Sequence, residues 1–200
     1  MDKTTRSSLR QQLRAKRRAL SANQQRVAAR QALRHVCQSG LFKRHRDIAF
    51  YLANDGEIDP SGLLALACQR QRRCYLPVLA PDNSLWFARY RPGDKMKKNR
   101  FGILEPTARN QCRKPWSLGL VFLPLVGFDR QGGRLGMGGG FYDRSFKHIK
   151  RSPLTSQPEL IGLAHQCQQV TSLTQESWDI PLSKIVTDEE VIRVIRDERT

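Results

Sequence analysis

"LGLVFLPLVGFDRQGGRLGMGGGFYDRSF", residues 118–146, decides how this chain folds. Its first half is an almost continuous apolar run from Leu118 to Val126, the pattern of a strand buried on both faces of a sheet. Its second half, Gly132 to Phe146, holds six glycines, two arginines, one aspartate and three aromatic residues. Glycine alone offers positive φ and an unobstructed N–H, so such a segment makes either a tight bend or a place where a ligand touches the main chain. From Phe141 the residues can wind into a helix. A buried strand feeding a glycine-rich turn and then a helix fits an open α/β sheet, in which ligands sit at the carboxyl ends of strands.

Working outward, the amino-terminal stretch places Leu9, Leu13 and Ala19 or Leu20 on a helical stripe surrounded by Arg10, Arg14, Lys16, Arg17 and Arg18, a basic amphipathic helix. Ser21 followed by Gln24 is a capping-box pattern, so a second helix begins there and runs through Val27, Leu33 and Val36 to a stop at Gly40. Ile48–Leu52 reads as a short buried strand, with a polar loop at Asn54–Glu57. Asp59-Pro60 reads as a cap with proline at the first helical position. A strand at 74–79 has a hairpin partner at 85–90, and a long basic loop covers 91–106. After the glycine segment come a polar loop at 151–159, a strand at 160–165, two strand-like pieces within 178–195 and a polar tail at 196–200. The alternation predicts an α/β fold: a single three-layer αβα domain over residues 1–200, with a mostly parallel central sheet and an amino-terminal basic helix.

The 200 residues carry 35 Lys plus Arg against 18 Asp plus Glu, a formal charge of +17. Such a surface attracts polyanions: nucleic acid, phosphate-rich cofactors or polyglutamate-like chains. Five cysteines, none at CxxC spacing, suggest neither a zinc site nor a disulfide framework. With no signal peptide or long apolar run, a reduced cytoplasmic protein without membrane contact is expected.

The glycine cluster at 136–140 fails the P-loop pattern, since no Gly-Lys-Ser/Thr follows, and fails the Rossmann fingerprint because Phe141 occupies the last glycine position. Its flanks favour a ligand over a plain turn. Arg134 and Arg144 can pair with phosphates, Phe141 and Tyr142 can wall a flat ring, and Asp143 can hold Mg²⁺ beside those phosphates.

Residues 123–146, together with "LRQQLRAKRRALS" (9–21), "FYLANDGEID" (50–59), "FGILEP" (101–106) and "WDIPLSKIVTDEEVI" (178–192), resemble the 5-formyltetrahydrofolate cyclo-ligase family, also called 5,10-methenyltetrahydrofolate synthetase. The resemblance runs in order from about Arg6 to Val194. It implies a monomeric ATP- and Mg²⁺-dependent enzyme that converts 5-formyltetrahydrofolate, whose glutamate tail could be extended, to 5,10-methenyltetrahydrofolate through a phosphorylated formyl intermediate. By the same resemblance Arg6, Arg10 and the run Arg134, Leu135, Gly136, Met137, Gly138, Gly139, Gly140, Phe141, Tyr142 bind ATP. Met137–Phe141 also border the folate, Leu52 and Glu57 contact it, and Asp143 and Asp188 are the carboxylates associated with Mg²⁺. The chain departs from the family pattern at Arg6, where lysine is common, and at Met137 and Gly139, where basic residues are frequent. The group that stabilises the transferring phosphoryl is therefore sought among Arg134, Arg144, Lys97 and Lys98, with Arg134 and Arg144 taken as catalytic.

Blander readings stand beside these. Alone, Asp188 is a solvated strand-end carboxylate and Asp179 a turn former. His165 is a core or rim histidine, and Trp86, Trp116 and Trp178 are packing residues. Phe101 is either a folate wall or a loop anchor, and the run 95–100 is either a solvated face or a lure for the glutamate tail. Rival functions are a nucleic-acid-binding protein and a nucleotide-binding module without ligase activity. No nucleic-acid motif interleaves the charge with aromatics, so no specific nucleic acid is expected as partner.

Overall fold

The computed structural model describes residues 3–108, 111–147 and 157–194. Helix α1 (Lys3–Arg18) is basic throughout and buries Leu13 against Val126, Leu135 and Leu173. Helix α2 (Ala22–Gln38) starts at the expected capping box: the Gln24 N–H donates to Ser21 Oγ at 3.3 Å and the Ser21 N–H to Gln24 Oε1 at 2.8 Å. It stops at Ser39, and Gly40, with φ of 72°, turns the chain into the single turn α3 (Leu41–Arg44). Strand β1 (Asp47–Ala49) is shorter than the apolar run, although Phe50 and Tyr51 stay buried beyond its end. Helix α4 (Ser61–Gln69) has Pro60 as its cap rather than as its first helical residue. Asp59 still serves the helix start, accepting the Ser61 N–H at 2.9 Å.

Strands β2 (Arg73–Leu79) and β3 (Leu85–Tyr90) form the expected hairpin. The stretch 91–106 is not a plain loop: it holds the antiparallel pair β4 (Met96–Lys98) and β5 (Leu104–Pro106). Asn99 closes its turn by accepting the N–H groups of Phe101 and Ile103 at 2.9 and 3.2 Å, and Gly102 takes φ of 74°. The remaining elements are β6 (Cys112–Arg113), β7 (Leu120–Pro124), β8 (Gly127–Phe128), β9 (Arg134–Leu135), α5 (Phe141–Phe146), β10 (Glu159–Leu163), β11 (Lys184–Val186) and β12 (Val191–Arg193). Most of the expected 151–159 loop and the tail at 196–200 lie outside the described residues.

The main sheet has the order β12-β11-β10-β7-β1-β2-β3-β6. Its centre, β11 to β2, is parallel, and antiparallel pairs close both edges. The sheet is thus mixed and mostly parallel, with helices on its faces. Period-two alternation divides the core. Ile48, Leu120, Phe122, Ile161 and Val186 face α2, α3 and α4, while Ala49, Val121, Leu123, Leu160 and Ile185 face the side that α5 covers. From β1 the chain moves to β2 on one side, then returns to place β7 on the other. The strand order therefore switches between β1 and β7, and the loops leaving their carboxyl ends diverge to open a crevice.

A buried aspartate fixes the entry to the glycine segment. Asp129 Oδ1 accepts the N–H groups of Gln131 and Gly133 at 3.0 and 2.7 Å, and Oδ2 accepts that of Leu173 at 2.7 Å. A Cβ on Gly133 would lie 2.3 Å from Asp129 Oδ2, so only glycine lets this carboxylate close the turn. Gly133→Ala should destabilise the protein by about 2–3 kcal/mol, and Asp129→Ala, which strands three N–H groups, by about 3 kcal/mol or more, read by urea unfolding. Unchanged midpoints would remove Asp129 as the organiser of this turn.

Candidate active site

A cavity of about 840 Å³ occupies the crevice. Its walls come from α1, the loop after β1, the far end of the β2–β3 hairpin, the β4–β5 turn, the glycine segment with α5, and residues 178–180. Of the residues the sequence singled out, Arg6, Arg10, Leu52, Glu57, Arg134, Gly136, Met137, Gly138, Gly139, Gly140, Phe141, Tyr142, Asp143 and Arg144 all line it. Two do not. Leu135 points into the core with Leu13 and Val126, because alternation along β9 turns it away from Arg134. Asp188 accepts the Gln166 N–H at 2.7 Å outside the lining, so Asp143 and Asp188 do not meet in this cavity.

The glycine segment is built for main-chain contact. Gly138 and Gly140 have φ of 95° and 62°, and a Cβ on Gly139 would overlap the Phe141 ring at 2.6 Å. Two arginines clamp its carbonyls: Arg10 Nε donates to Gly136 O at 2.9 Å and Arg144 Nη2 to Gly139 O at 2.5 Å. With the carbonyls so engaged, no N–H of Gly138, Gly139 or Gly140 donates to another described residue. Those donors, with the guanidiniums around them, form an anion cradle. Arg10 lies partly desolvated, and burial and then the charge of Arg6 hold its pKa below the ordinary value. Arg134 is buried, donates through Nε to Ile180 O at 3.0 Å and ion-pairs with Asp143. Asp143 also accepts the Ile180 N–H at 3.4 Å. Arg6 pairs with Glu176 at 3.3 Å and Asp179 at 3.7 Å, which gives Asp179 a place in the wall that its sequence context did not reveal.

Another part of the lining carries a shifted acid. Glu57 lies with Tyr51, Leu52 and Tyr142. Burial raises its pKa to about 7, against the partial opposition of Arg17, whose Nη2 is 3.8 Å from Glu57 Oε1. Burial also raises both tyrosine hydroxyls, and the Glu57 charge adds to the effect. Two residues earlier, Asp55 behaves in the opposite way. Burial alone would raise it, but hydrogen bonds from Arg14, Arg18 and Arg17 hold it well below the usual carboxylate range. This Arg17–Asp55 node escaped the sequence reading, in which Arg17 was one of five cations on a basic helix. Leu13, one turn earlier on the apolar stripe, was the only hint that position 17 faces inward.

Trp178 and Phe101 both sit on the cavity rim, Phe101 edge-on to Phe141 with ring centroids 5.5 Å apart. Trp86 and Trp116 lie away from it, flanking Lys114. His165 is buried at the end of β10, with Nε2 3.2 Å from Gly56 O and its pKa lowered by burial. Lys97 and Lys98 are on β4 outside the lining, and Lys97 pairs with Glu105 at 3.8 Å. No group of three or more His, Cys, Asp or Glu side chains that could cage a metal occurs among the described residues. A single carboxylate such as Asp143 still fits Mg²⁺, which is ordinarily held by one or two carboxylates with phosphate oxygens and water.

Comparisons with known proteins agree with this geometry. The model of the 5-formyltetrahydrofolate cyclo-ligase family matches residues 2–188. A 5-formyltetrahydrofolate cyclo-ligase of Haemophilus influenzae is 39% identical over 93% of this chain and 99% of its own length. That of Escherichia coli K12 is 38% identical over 90% and 98%. Among solved structures, the 5,10-methenyltetrahydrofolate synthetase of Aquifex aeolicus superposes with a TM-score of 0.81 at 28% identity, covering 98% of this chain and 95% of that one. The similarity runs through both walls of the crevice and the glycine segment between them, and the chain belongs to the 5-formyltetrahydrofolate cyclo-ligase family.

Proposed function

We propose that the switch-point cavity carries out the family's reaction, the ATP-dependent conversion of 5-formyltetrahydrofolate to 5,10-methenyltetrahydrofolate with release of ADP and phosphate (EC 6.3.3.2). The observation that carries the reading is the make-up of one cavity, which glycine N–H groups and arginines line together with Tyr51, Leu52, Phe141 and the carboxylate Glu57. The first set suits a triphosphate and the second a flat, hydrogen-bonding ring. The formyl oxygen attacks the γ-phosphorus and ADP leaves. N10 of the folate then closes on the formyl carbon, loses its proton, and the oxygen departs as phosphate. An amide-like oxygen leaves poorly, and phosphorylation makes it a good leaving group, so the protein's tasks are positioning and charge neutralisation.

Arg6 and Arg10 hold the nucleotide, and the backbone of Gly136–Gly140 cradles its phosphates. Arg134 and Arg144 neutralise charge at the transferring group, and Met137 and Phe141 separate the two ligands. Mg²⁺ would be held by Asp143 with ATP oxygens and water, and would supply further neutralisation of the phosphates. Leu52 packs on the folate ring, and Glu57 accepts hydrogen bonds from its N–H groups. A monomeric single-domain chain acting in the cytoplasm, on folate with or without added glutamates, completes the proposal.

The reaction is tested by following the near-ultraviolet absorbance of the methenyl product with purified protein, 5-formyltetrahydrofolate and Mg-ATP. The rise should require all three, and its absence from folded, metal-supplied protein would overturn the reading. Asp143→Asn should lower kcat at least about 100-fold and, because it removes the ion-pair partner of buried Arg134, should also lower the unfolding midpoint. More than half the activity at saturating Mg²⁺ would remove Asp143 from the metal.

Glu57 generates two linked expectations. Accepting two N–H donors requires the ionised carboxylate, so folate affinity should weaken about tenfold per unit as pH falls below about 7 and level off above it. In the free protein the sign is reversed. The folded pKa of about 7 lies above the ordinary glutamate value of 4.5, so the folded state keeps a proton that the unfolded state has lost. Stability should fall as pH rises from about 4.5 to 7, by about 3 kcal/mol. Glu57→Gln should flatten both profiles, stabilise the free protein at pH above 7 by about 2 kcal/mol and weaken folate binding. Titration calorimetry and urea unfolding across pH check this, and an unaltered folate affinity would take Glu57 out of the pocket.

A further inference from the structure

At the opposite end of the sheet, strand register gathers four guanidiniums on one face. Asp47 of β1 pairs with Arg73 of β2, and Tyr75, two residues on and so on the same face, pairs with Arg89 of β3. Arg91 follows Arg89 by two. Arg113 of β6 pairs with Phe87, which shares the face of Arg89. Together they line a cleft of about 380 Å³. The core of this face, under α5, lies toward the other end of β3.

The charge here is only partly compensated among the described residues. Among them Asp47 is the carboxylate paired to these arginines: it takes Arg73, accepts the Tyr75 hydroxyl at 2.9 Å and lies 3.7 Å from Arg113 Nη2. The guanidinium carbons of Arg89 and Arg113 lie 5.5 and 5.6 Å from the Tyr75 ring centroid, so two cations sit over this ring. Two donors, Arg73 Nε and Arg89 Nη1, are removed from solvent without a hydrogen-bond partner among the described residues. The polar lining of the cleft is thus dominated by guanidiniums, whose planar fork matches a tetrahedral oxyanion.

We propose that this cleft is a second anion site, specific for phosphate groups and separate from the catalytic cavity. On β2 the cleft is lined by Arg73 and Tyr75 and the catalytic cavity by Pro77 and Leu79, so the linings are about 7 Å apart at their nearest on this strand and about 20 Å apart at their far ends. They share no lining residue. The inference does not depend on the cyclo-ligase reading. The phosphate could come from a free di- or polyphosphate or from the backbone of a single-stranded RNA.

Titration of the isotope-labelled full-length chain with sodium diphosphate, followed by NMR, tests the proposal and separates the two sites. The amides of Arg73, Arg89 and Arg113 should shift together along one saturable curve, independent of that for Gly138–Gly140. Arg89→Gln and Arg113→Gln should each weaken that curve about tenfold, leave the glycine-segment curve and ligase turnover unchanged, and be rescued in part by Arg89→Lys. Wild-type protein showing no saturable shift at these amides would overturn the site, as would variants binding diphosphate with unaltered affinity. A uridine decamer that shifts the same amides and is displaced by diphosphate would identify an RNA backbone as the source. A decamer that leaves them unmoved while diphosphate binds would identify the free anion.

Discussion

The structure depends on one cation that has no contact with water. Arg17, fully buried near the end of α1, donates to Asp55 O at 2.8 Å, to Leu125 O at 3.2 Å and to Asp55 Oδ2 at 2.8 Å, and reaches Met137 Sδ at 3.8 Å. These partners belong to the loop after β1, the end of β7 and the glycine segment, the three parts that must stand in register for a crevice to exist. Removing one partner of a buried ion pair costs about 3–5 kcal/mol, because the other charge is left without solvent. The helix therefore cannot drift without exposing an uncompensated charge, and the crevice keeps its shape before any ligand arrives.

That node also explains why two carboxylates two residues apart differ so widely. Asp55 faces three guanidiniums and stays ionised. Glu57 lines the cavity with Arg17 at 3.8 Å and, desolvated by burial, holds its proton to about pH 7. The first is a structural anion, and the second is a carboxyl poised to change charge near neutrality. The same backbone turn supplies both environments.

Much of this was legible in the residues. The run Leu118–Val126 announced a strand buried on both sides, Ser21 with Gln24 announced a helix start, and the glycines after β7 announced a loop at a strand's carboxyl end, where the segment lines the cavity. What escaped were features set by tertiary contact. The β4–β5 pair depends on Asn99 capping its own turn within a stretch dominated by lysines and arginines. Asp188 belongs to the recognised motif, yet its carboxylate is engaged by the Gln166 N–H, a partner 22 residues away that no local pattern names. Leu135 sits within the ATP-loop motif, yet strand alternation sends it into the core. Arg17 was visible as charge and invisible as a buried charge, since burial is decided by what packs over it.

The contact between α1 and the end of β7 has a consequence for how this protein can change over generations. A Cβ on Gly127 would lie 2.4 Å from Leu13 Cδ1, in a pocket closed by Leu135. Neither residue can enlarge alone. A methyl group gained at one position must be matched by volume given up at the other, so the two sites drift as a coupled pair, with single steps in either direction disfavoured. The helix that carries the cavity-lining Arg6 and Arg10 and the strand that feeds the glycine segment are thereby inherited as one unit.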